Sequence, residues 1–219
     1  MTMRTYKLIL ADDHILLRDA LASLINSFAE FKVIAVAGNG EEVVKAIGEG
    51  QKPDLVLLDL NMPKMDGYET AKWLYKKQPG VKILVLTMFD SEIALIRLLQ
   101  VGVMGFLKKD IHPDELKNAL IAVADNGYYY SHTTTGKLAT FFQKSHSTQS
   151  SLEKAMLNEI EIEFLKQASR DITYKEIADA MHLTPRAVDG YRDGLFEKLG
   201  VKSRVGLAIY AVKNGIVSF

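Results

Sequence analysis

Five polar side chains in this sequence share one placement, because each ends or closely follows a short apolar run. They are Asp12, Asp13, Asp59, Thr87 and Lys109. Carboxylates held close together repel, and each raises the pKa of the others. A divalent cation with oxygen ligands relieves that repulsion, and Mg²⁺ binds through a few carboxylates while keeping several waters. If the runs are neighbouring strands, the acidic residues predict a Mg²⁺ site.

The other residue types in this set suit phosphoryl chemistry. Lys109 supplies a fixed positive charge that pairs with carboxylate or phosphate oxygens, and Thr87 supplies a hydroxyl that donates to a phosphoryl oxygen. A carboxylate acts as a nucleophile toward phosphorus and forms an acyl phosphate. Lysine and metal would stabilise the charge on the transferring group. The set therefore predicts phosphoryl transfer to a carboxylate.

The elements that would position these side chains are apolar runs alternating with amphipathic segments. The runs lie at residues 7–11, 32–37, 54–58, 81–86 and 103–107, and the segments at residues 14–28, 40–49, 67–77, 91–100 and 113–126. Near-continuous apolar runs suit strands that are buried on both faces. The alternation predicts an α/β fold, a doubly wound five-stranded parallel sheet of flavodoxin-like order. In such a sheet, ligands bind at the carboxyl ends of the strands.

The composition of the chain changes after residue 127. Residues 131–151 are rich in Ser, Thr, Gln and Gly, which is typical of a linker, and residues 136–144 could form a short helix within it. From residue 152 onward the periodicity is helical, with segments at 157–169, 173–181, 184–199 and 203–214. We predict a first domain at residues 1–130, a linker at 131–151, and a small all-α four-helix domain containing a helix-turn-helix at 152–219.

Composition excludes several classes of protein. Lys and Arg number 27 and so do Asp and Glu, so any basic footprint for nucleic acid must be local. The absence of cysteine excludes a thiol nucleophile and cysteine-bound zinc. No apolar stretch reaches the roughly 18 residues of a bilayer span, and the N-terminus lacks a signal-peptide pattern. We expect a cytoplasmic protein without a membrane partner.

Four motifs in the first domain carry a family resemblance. They are Asp12-Asp13, DLNMPKMDG at residues 59–67, Thr87, and GFLKKD at residues 105–110. Together they resemble the receiver domain of bacterial two-component response regulators, over about residues 4–127. The resemblance implies that Asp59 accepts a phosphoryl group from a sensor histidine kinase.

The resemblance also assigns roles to the other residues of the set. Those that would hold Mg²⁺ are Asp12, Asp13, Asp59 and Asn61, the last through its backbone carbonyl. Thr87 and Phe106 match the family's switch pair, in which the hydroxyl moves toward the phosphoryl group and the ring turns inward. Phe106 is often Tyr in the family, and phenylalanine keeps the ring. Lys109, rather than Lys108, matches the family lysine.

The helical region contains a helix-turn-helix candidate at residues 173–199. Six basic and three acidic residues lie at 182–219, against four basic and seven acidic at 152–181, so positive charge lies near the second helix of the candidate. The stretches 157–165, 174–178, 187–188 and 198–201 resemble a LuxR-type DNA-binding domain. The whole chain thus resembles the NarL/FixJ class of response regulators, which implies double-stranded DNA as a partner and a homodimer on activation.

The family's recognition helix maps onto residues 184–199. The DNA contacts that we predict are Thr184, Arg186, Tyr191, Arg192, Lys198 and Lys202. This helix departs from the family pattern, because Ala187 replaces a usual Thr, Asp189 a Lys and Tyr191 a His. The carboxylate of Asp189 repels phosphate, although it can accept a hydrogen bond from the N4 amine of cytosine.

The leading hypothesis is a transcriptional regulator switched by phosphorylation, with no enzymatic activity beyond assisting its own phosphorylation and dephosphorylation. One alternative is an output module that contacts protein instead of DNA, which Asp189 motivates. Another is an aspartyl-phosphate hydrolase. That chemistry needs a second Asp two residues after the nucleophile as general acid, and Asn61 occupies the position.

Overall fold

The computed structural model of the chain describes residues 4–88, 92–131, 134–136 and 157–217. Residues 91–94 aside, the chain divides into two compact units, residues 1–135 and residues 136–219. Each unit has a hydrophobic core of its own. Most of the predicted linker, and all but the first residue of the short helix considered within it, lie outside the described residues.

The first unit is built on the five-stranded parallel sheet that the alternating pattern predicts. Its strands are β1 (Tyr6–Ala11), β2 (Phe31–Ala37), β3 (Leu55–Asp59), β4 (Lys82–Thr87) and β5 (Gly105–Lys108). The strand order is β2-β1-β3-β4-β5, which confirms the flavodoxin-like topology. All five residues of the central strand β3 are buried, because helices cover both faces of a doubly wound sheet.

Five helices surround this sheet. They are α1 (Ile15–Asn26), α2 (Gly40–Gly48), α3 (Gly67–Lys77), α4 (Glu92–Gln100) and α5 (Pro113–Asn126). Local sequence fixes where they begin. Asp66 and Glu69 form a capping box at the start of α3, each side chain accepting a hydrogen bond from the other residue's backbone N–H. Pro113 lies in the first turn of α5, where a missing N–H costs no hydrogen bond.

The second unit contains four described helices, as predicted. They are α6 (Glu159–Ala168), α7 (Tyr174–Ala180), α8 (Pro185–Leu199) and α9 (Arg204–Lys213). The Thr184 side chain caps α8, and Gly200 ends it in the left-handed conformation. Val188 and Leu195 are buried in the core of this unit. None of the helices in the described ranges combines the length and hydropathy that a bilayer span requires.

Candidate functional site

The predicted polar side chains of the first unit meet at the carboxyl edge of the sheet. Asp12 directly follows β1, Asp59 ends the neighbouring strand β3, and Lys109 directly follows β5. The Lys109 Nζ atom lies 2.8 Å from Asp12 Oδ2 and 2.9 Å from Asp59 Oδ2. All three side chains are at most 8% exposed. One buried ammonium group therefore bridges two buried carboxylates.

Burial and charge pull the protonation of this cluster in opposite directions. Burial raises the pKa of Asp59, and the charge of Asp12 adds to that effect, against the opposing influence of Lys109. Burial alone would lower the pKa of Lys109, but its hydrogen bonds to Asp12 and Asp59 outweigh burial and raise that pKa. The lysine thus stays charged and partly neutralises two acidic groups.

The oxygen atoms of this cluster are compatible with a divalent cation. Asp12, Asp13, His14 and Asp59 each offer one ligand atom, and these four atoms all lie within 4.8 Å of one another. Carboxylate oxygens are the ligands that hard cations such as Mg²⁺ prefer. Asp13 and His14 are exposed, so the cluster opens to solvent on one side. The donor set fits a small divalent cation better than a soft metal, since the described cluster has no sulfur ligand.

His14 is the one member of this cluster that sequence reasoning missed. Its Nδ1 atom lies 2.9 Å from Asp13 Oδ1 and 3.2 Å from Asp12 Oδ1, and its backbone N–H donates to Asp12 Oδ1 at 2.9 Å. The available signal was its position directly after two predicted metal ligands. The backbone bond orients the Asp12 carboxylate, so part of the site is shaped by the turn into α1.

The loop after Asp59 is held close to the strand by a glycine. The Gly67 N–H donates to the Leu60 carbonyl at 2.9 Å. A Cβ atom on Gly67 would lie 2.1 Å from the Asp59 carbonyl oxygen. The Leu60 N–H donates to Asp59 Oδ1 at 2.8 Å, so the same loop orients the carboxylate. Asn61, the predicted carbonyl ligand, belongs to this loop.

We expect Gly67→Ala to lower the free energy of unfolding by at least about 2 kcal/mol, because the new methyl group would overlap the backbone of Asp59 and Leu60. Urea denaturation measures the change. Gly80→Ala is the matched control, since a Cβ atom there would meet nothing within 4 Å. Equal stability of the two variants would contradict the close approach.

The two residues predicted to switch lie on neighbouring strands. Thr87 ends β4 and is buried, and the Lys109 N–H donates to its carbonyl oxygen at 3.0 Å. Phe106 lies on β5 opposite Val85 and is 6% exposed. The Phe106 ring packs against the Tyr130 ring, with centroids 6.3 Å apart. Both predicted switch residues are therefore buried, Thr87 on the strand next to β3 and Phe106 on the edge strand that leads to Lys109.

The predicted DNA contacts in the second unit fall into two groups. Thr184, Arg186 and Lys202 are exposed, the first capping α8 and the last between α8 and α9. Tyr191, Arg192 and Lys198 are partly buried. The Lys198 Nζ atom lies 2.7 Å from Glu161 Oε2, joining α8 to α6. The Tyr191 ring packs on Phe164 at 6.5 Å, so both side chains have structural partners within the unit.

Arg192 is held on three sides. Its Nη1 atom lies 2.7 Å from Asp189 Oδ1, its Nε atom lies 2.8 Å from Asp193 Oδ1, and its guanidinium lies over the Tyr174 ring at 5.4 Å. The guanidinium lowers the pKa of Asp193 through the hydrogen bond that it donates. A DNA contact by Arg192 or by Lys198 remains a prediction, and it would compete with these ion pairs. Among the described contacts, Arg186 and Lys202 make no ion pair that a DNA contact would have to break.

Comparison with known proteins gives the class to which the chain belongs. Residues 8–121 match the response regulator receiver domain family, and residues 155–211 match the luxR family of bacterial regulatory proteins. The chain belongs to the response regulators, with a receiver domain followed by a LuxR-type DNA-binding domain.

Individual relatives match this chain over nearly its whole length and over nearly all of their own. The transcriptional regulatory protein LnrK of Bacillus subtilis is 32% identical, over 97% of this chain and 99% of LnrK. The response regulator GacA of Pseudomonas aeruginosa is 31% identical, over 96% and 97%. Among solved structures, RcsB from Salmonella enterica bound to a promoter has a TM-score of 0.70 at 19% identity, covering 95% of this chain and 99% of RcsB. That likeness supports the fold.

Proposed function

We propose that this chain is a transcriptional response regulator whose DNA binding is controlled by phosphorylation of Asp59. The observation that carries the proposal is the bridging of buried Asp12 and Asp59 by Lys109 at the carboxyl edge of the sheet. A sensor histidine kinase would supply the phosphoryl group. An Asp59 oxygen would form the new bond to phosphorus, and the bond from phosphorus to the kinase histidine would break.

We further propose that Mg²⁺ is the cation of this site. The residues that would hold it are Asp12, Asp13, Asp59 and Asn61, the last through its backbone carbonyl. When bound, Mg²⁺ supplies charge stabilisation to the transferring phosphoryl group. Lys109 would hold a phosphoryl oxygen with its ammonium group, which is already fixed beside Asp59. The Thr87 hydroxyl would donate to a second phosphoryl oxygen, and the Phe106 ring would turn to follow it.

The second unit would bind DNA in response to phosphorylation of the first. LnrK is named a transcriptional regulatory protein, and one RcsB structure has two RcsB dimers on two DNAs. We propose that this chain also binds double-stranded DNA, as a homodimer on activation, and that it does so in the cytoplasm. The exposed side chains of Arg186 and Lys202 are the first candidates for phosphate contacts.

One observation favours a second candidate function, an output through protein contacts. Asp189 and Asp193 neutralise Arg192 on the helix that would read DNA. Three basic and three acidic side chains make α8 formally neutral, which weakens its attraction to phosphate. An aspartyl-phosphate hydrolase remains the less supported reading, because Asn61 stands where that chemistry needs an acid. We propose no turnover beyond the chain's own phosphorylation and dephosphorylation.

Intact mass after incubation with acetyl phosphate and Mg²⁺ tests the proposal. We expect one phosphoryl adduct on the wild-type chain, none on Asp59→Asn, and a slower reaction on Asp13→Asn. Asp54→Asn is a matched control, since Asp54 is an acidic residue at the other end of β3. An adduct that persists in Asp59→Asn would place the acceptor elsewhere and overturn the assignment.

A further inference from the structure

The segment that follows α5 runs back along the edge strand of the sheet. Gly127 ends α5 in the left-handed conformation at φ 86°. The Tyr129 N–H then donates to the Met104 carbonyl at 2.9 Å, and Tyr129 forms a parallel bridge with Gly105. Because β5 is the last strand of the sheet, this segment covers its edge. The segment through which the chain leaves the first unit is therefore hydrogen-bonded to the strand that carries Phe106.

This attachment is close enough to require a glycine on β5. A Cβ atom on Gly105 would lie 2.6 Å from the Tyr129 carbonyl oxygen. The Tyr129 hydroxyl donates to Glu115 Oε1 at 3.2 Å, which ties the same residue to α5. Backbone and side chain thus fix Tyr129 between β5 and α5.

Tyr130, the next residue, packs against Phe106, one of the two predicted switch residues. The Tyr130 and Phe106 rings lie 6.3 Å apart and are tilted by 58°. The exposed Tyr128 ring stacks on the Tyr130 ring, with centroids 6.2 Å apart. Phe106 is 6% exposed, so its ring has little room to turn without losing or moving its Tyr130 partner.

A turn follows Tyr130 directly. The Ser131 hydroxyl accepts a hydrogen bond from the Thr134 N–H at 3.3 Å, and the Ser131 carbonyl accepts one from the Thr135 N–H at 2.9 Å. Because Ser131 directly follows Tyr130, a displacement of Tyr130 would move the residue that accepts both of these hydrogen bonds. The turn is the last described part of the first unit before residue 136.

We propose that Tyr130 is the positioning residue through which the Phe106 ring controls the exit segment, residues 128–131 and 134–135. This inference rests on the proposed function, because it needs phosphorylation of Asp59 to turn the Phe106 ring. Two alternative packings of one aromatic pair then become two conformations of the exit segment.

Hydrogen exchange of the full-length chain, with Mg²⁺ and with or without acetyl phosphate, tests the inference. In the wild type we expect phosphorylation to change amide exchange in the exit segment by about two- to tenfold, the range that a single aromatic pair supports. In Tyr130→Ala the adduct should form at the wild-type rate, while the exchange change is lost. Tyr130→Phe keeps the ring and should keep the change.

Tyr128→Ala is the matched control, because Tyr128 stacks on Tyr130 but is exposed. It should respond like the wild type. If Tyr130→Ala fails to fold, Gly105→Ala offers an independent route, since its methyl group would push Tyr129 from the strand edge. A full exchange change in Tyr130→Ala or Gly105→Ala overturns the inference, as does an adduct on wild type without any exchange change. Absence of the adduct on wild type overturns the proposed function instead.

Discussion

Lys109→Met is expected to lower the free energy of unfolding by about 3–5 kcal/mol at neutral pH in the absence of divalent cations. The physical reason is the removal of the one ammonium group that bridges two buried carboxylates, those of Asp12 and Asp59. Without it, the two buried carboxylates lose the positive charge that pairs with both of them, and they repel each other. Mg²⁺ should restore part of the loss, because a cation replaces the missing positive charge.

The loss should shrink as the pH falls. Burial already raises the pKa of Asp59, and removal of Lys109 raises that pKa further, so protonation at low pH discharges the group that the variant leaves unpaired. Denaturant unfolding with and without Mg²⁺ measures the effect. Lys108→Met is the matched control, since Lys108 is the exposed neighbour of Lys109. Equal losses in the two variants would contradict the bridging role.

The second large effect is expected in DNA binding. The double variant Arg186→Ala/Lys202→Ala should bind duplex DNA about ten- to hundredfold more weakly, and the slope of log affinity against log salt should fall by about 2. Arg186 is exposed near the start of α8 and Lys202 is exposed between α8 and α9, where phosphate contacts would form without breaking an ion pair of the described residues. Fluorescence anisotropy over a salt series gives both quantities.

Lys213→Ala is the control for this variant, since Lys213 is an exposed lysine at the far end of α9. It should leave the salt slope unchanged. If Lys213→Ala lowered the DNA affinity as much as the double variant, the affinity would depend on the total positive charge and not on Arg186 and Lys202. No effect of either change, with no salt dependence in the wild type, would favour the protein-contact output over DNA binding.

Much of the fold follows from local patterns in the sequence. Continuous apolar runs such as 55–58 predict strands buried on both faces, and the fold then places whatever follows each run at one edge of the sheet. Asp12 and Asp59 meet for that reason. Helix starts at Asp66 and Thr184 follow from capping chemistry, which acts over three residues and is visible without tertiary structure.

The interactions that the sequence alone did not predict mostly join residues that are far apart in the chain. Lys109 was predicted to pair with carboxylate or phosphate oxygens, but its partner Asp59 is 50 positions away, so only the sheet shows that it bridges two carboxylates. The pairing of Lys198 with Glu161 depends in the same way on how α8 packs against α6. The pairing of Arg192 with Asp189 is different, since it spans three residues of one helix and helical spacing would have predicted it.

The most direct test of the account compares the DNA affinity of phosphorylated and unphosphorylated protein in one sample series. Duplexes would be selected from a random pool, and intact mass would report the adduct in the same samples as the anisotropy. We predict that acetyl phosphate with Mg²⁺ tightens binding of the wild-type chain and leaves Asp59→Asn unchanged. A fully phosphorylated wild-type chain with the affinity of the unphosphorylated one would contradict the central claim, that charge at Asp59 controls DNA binding.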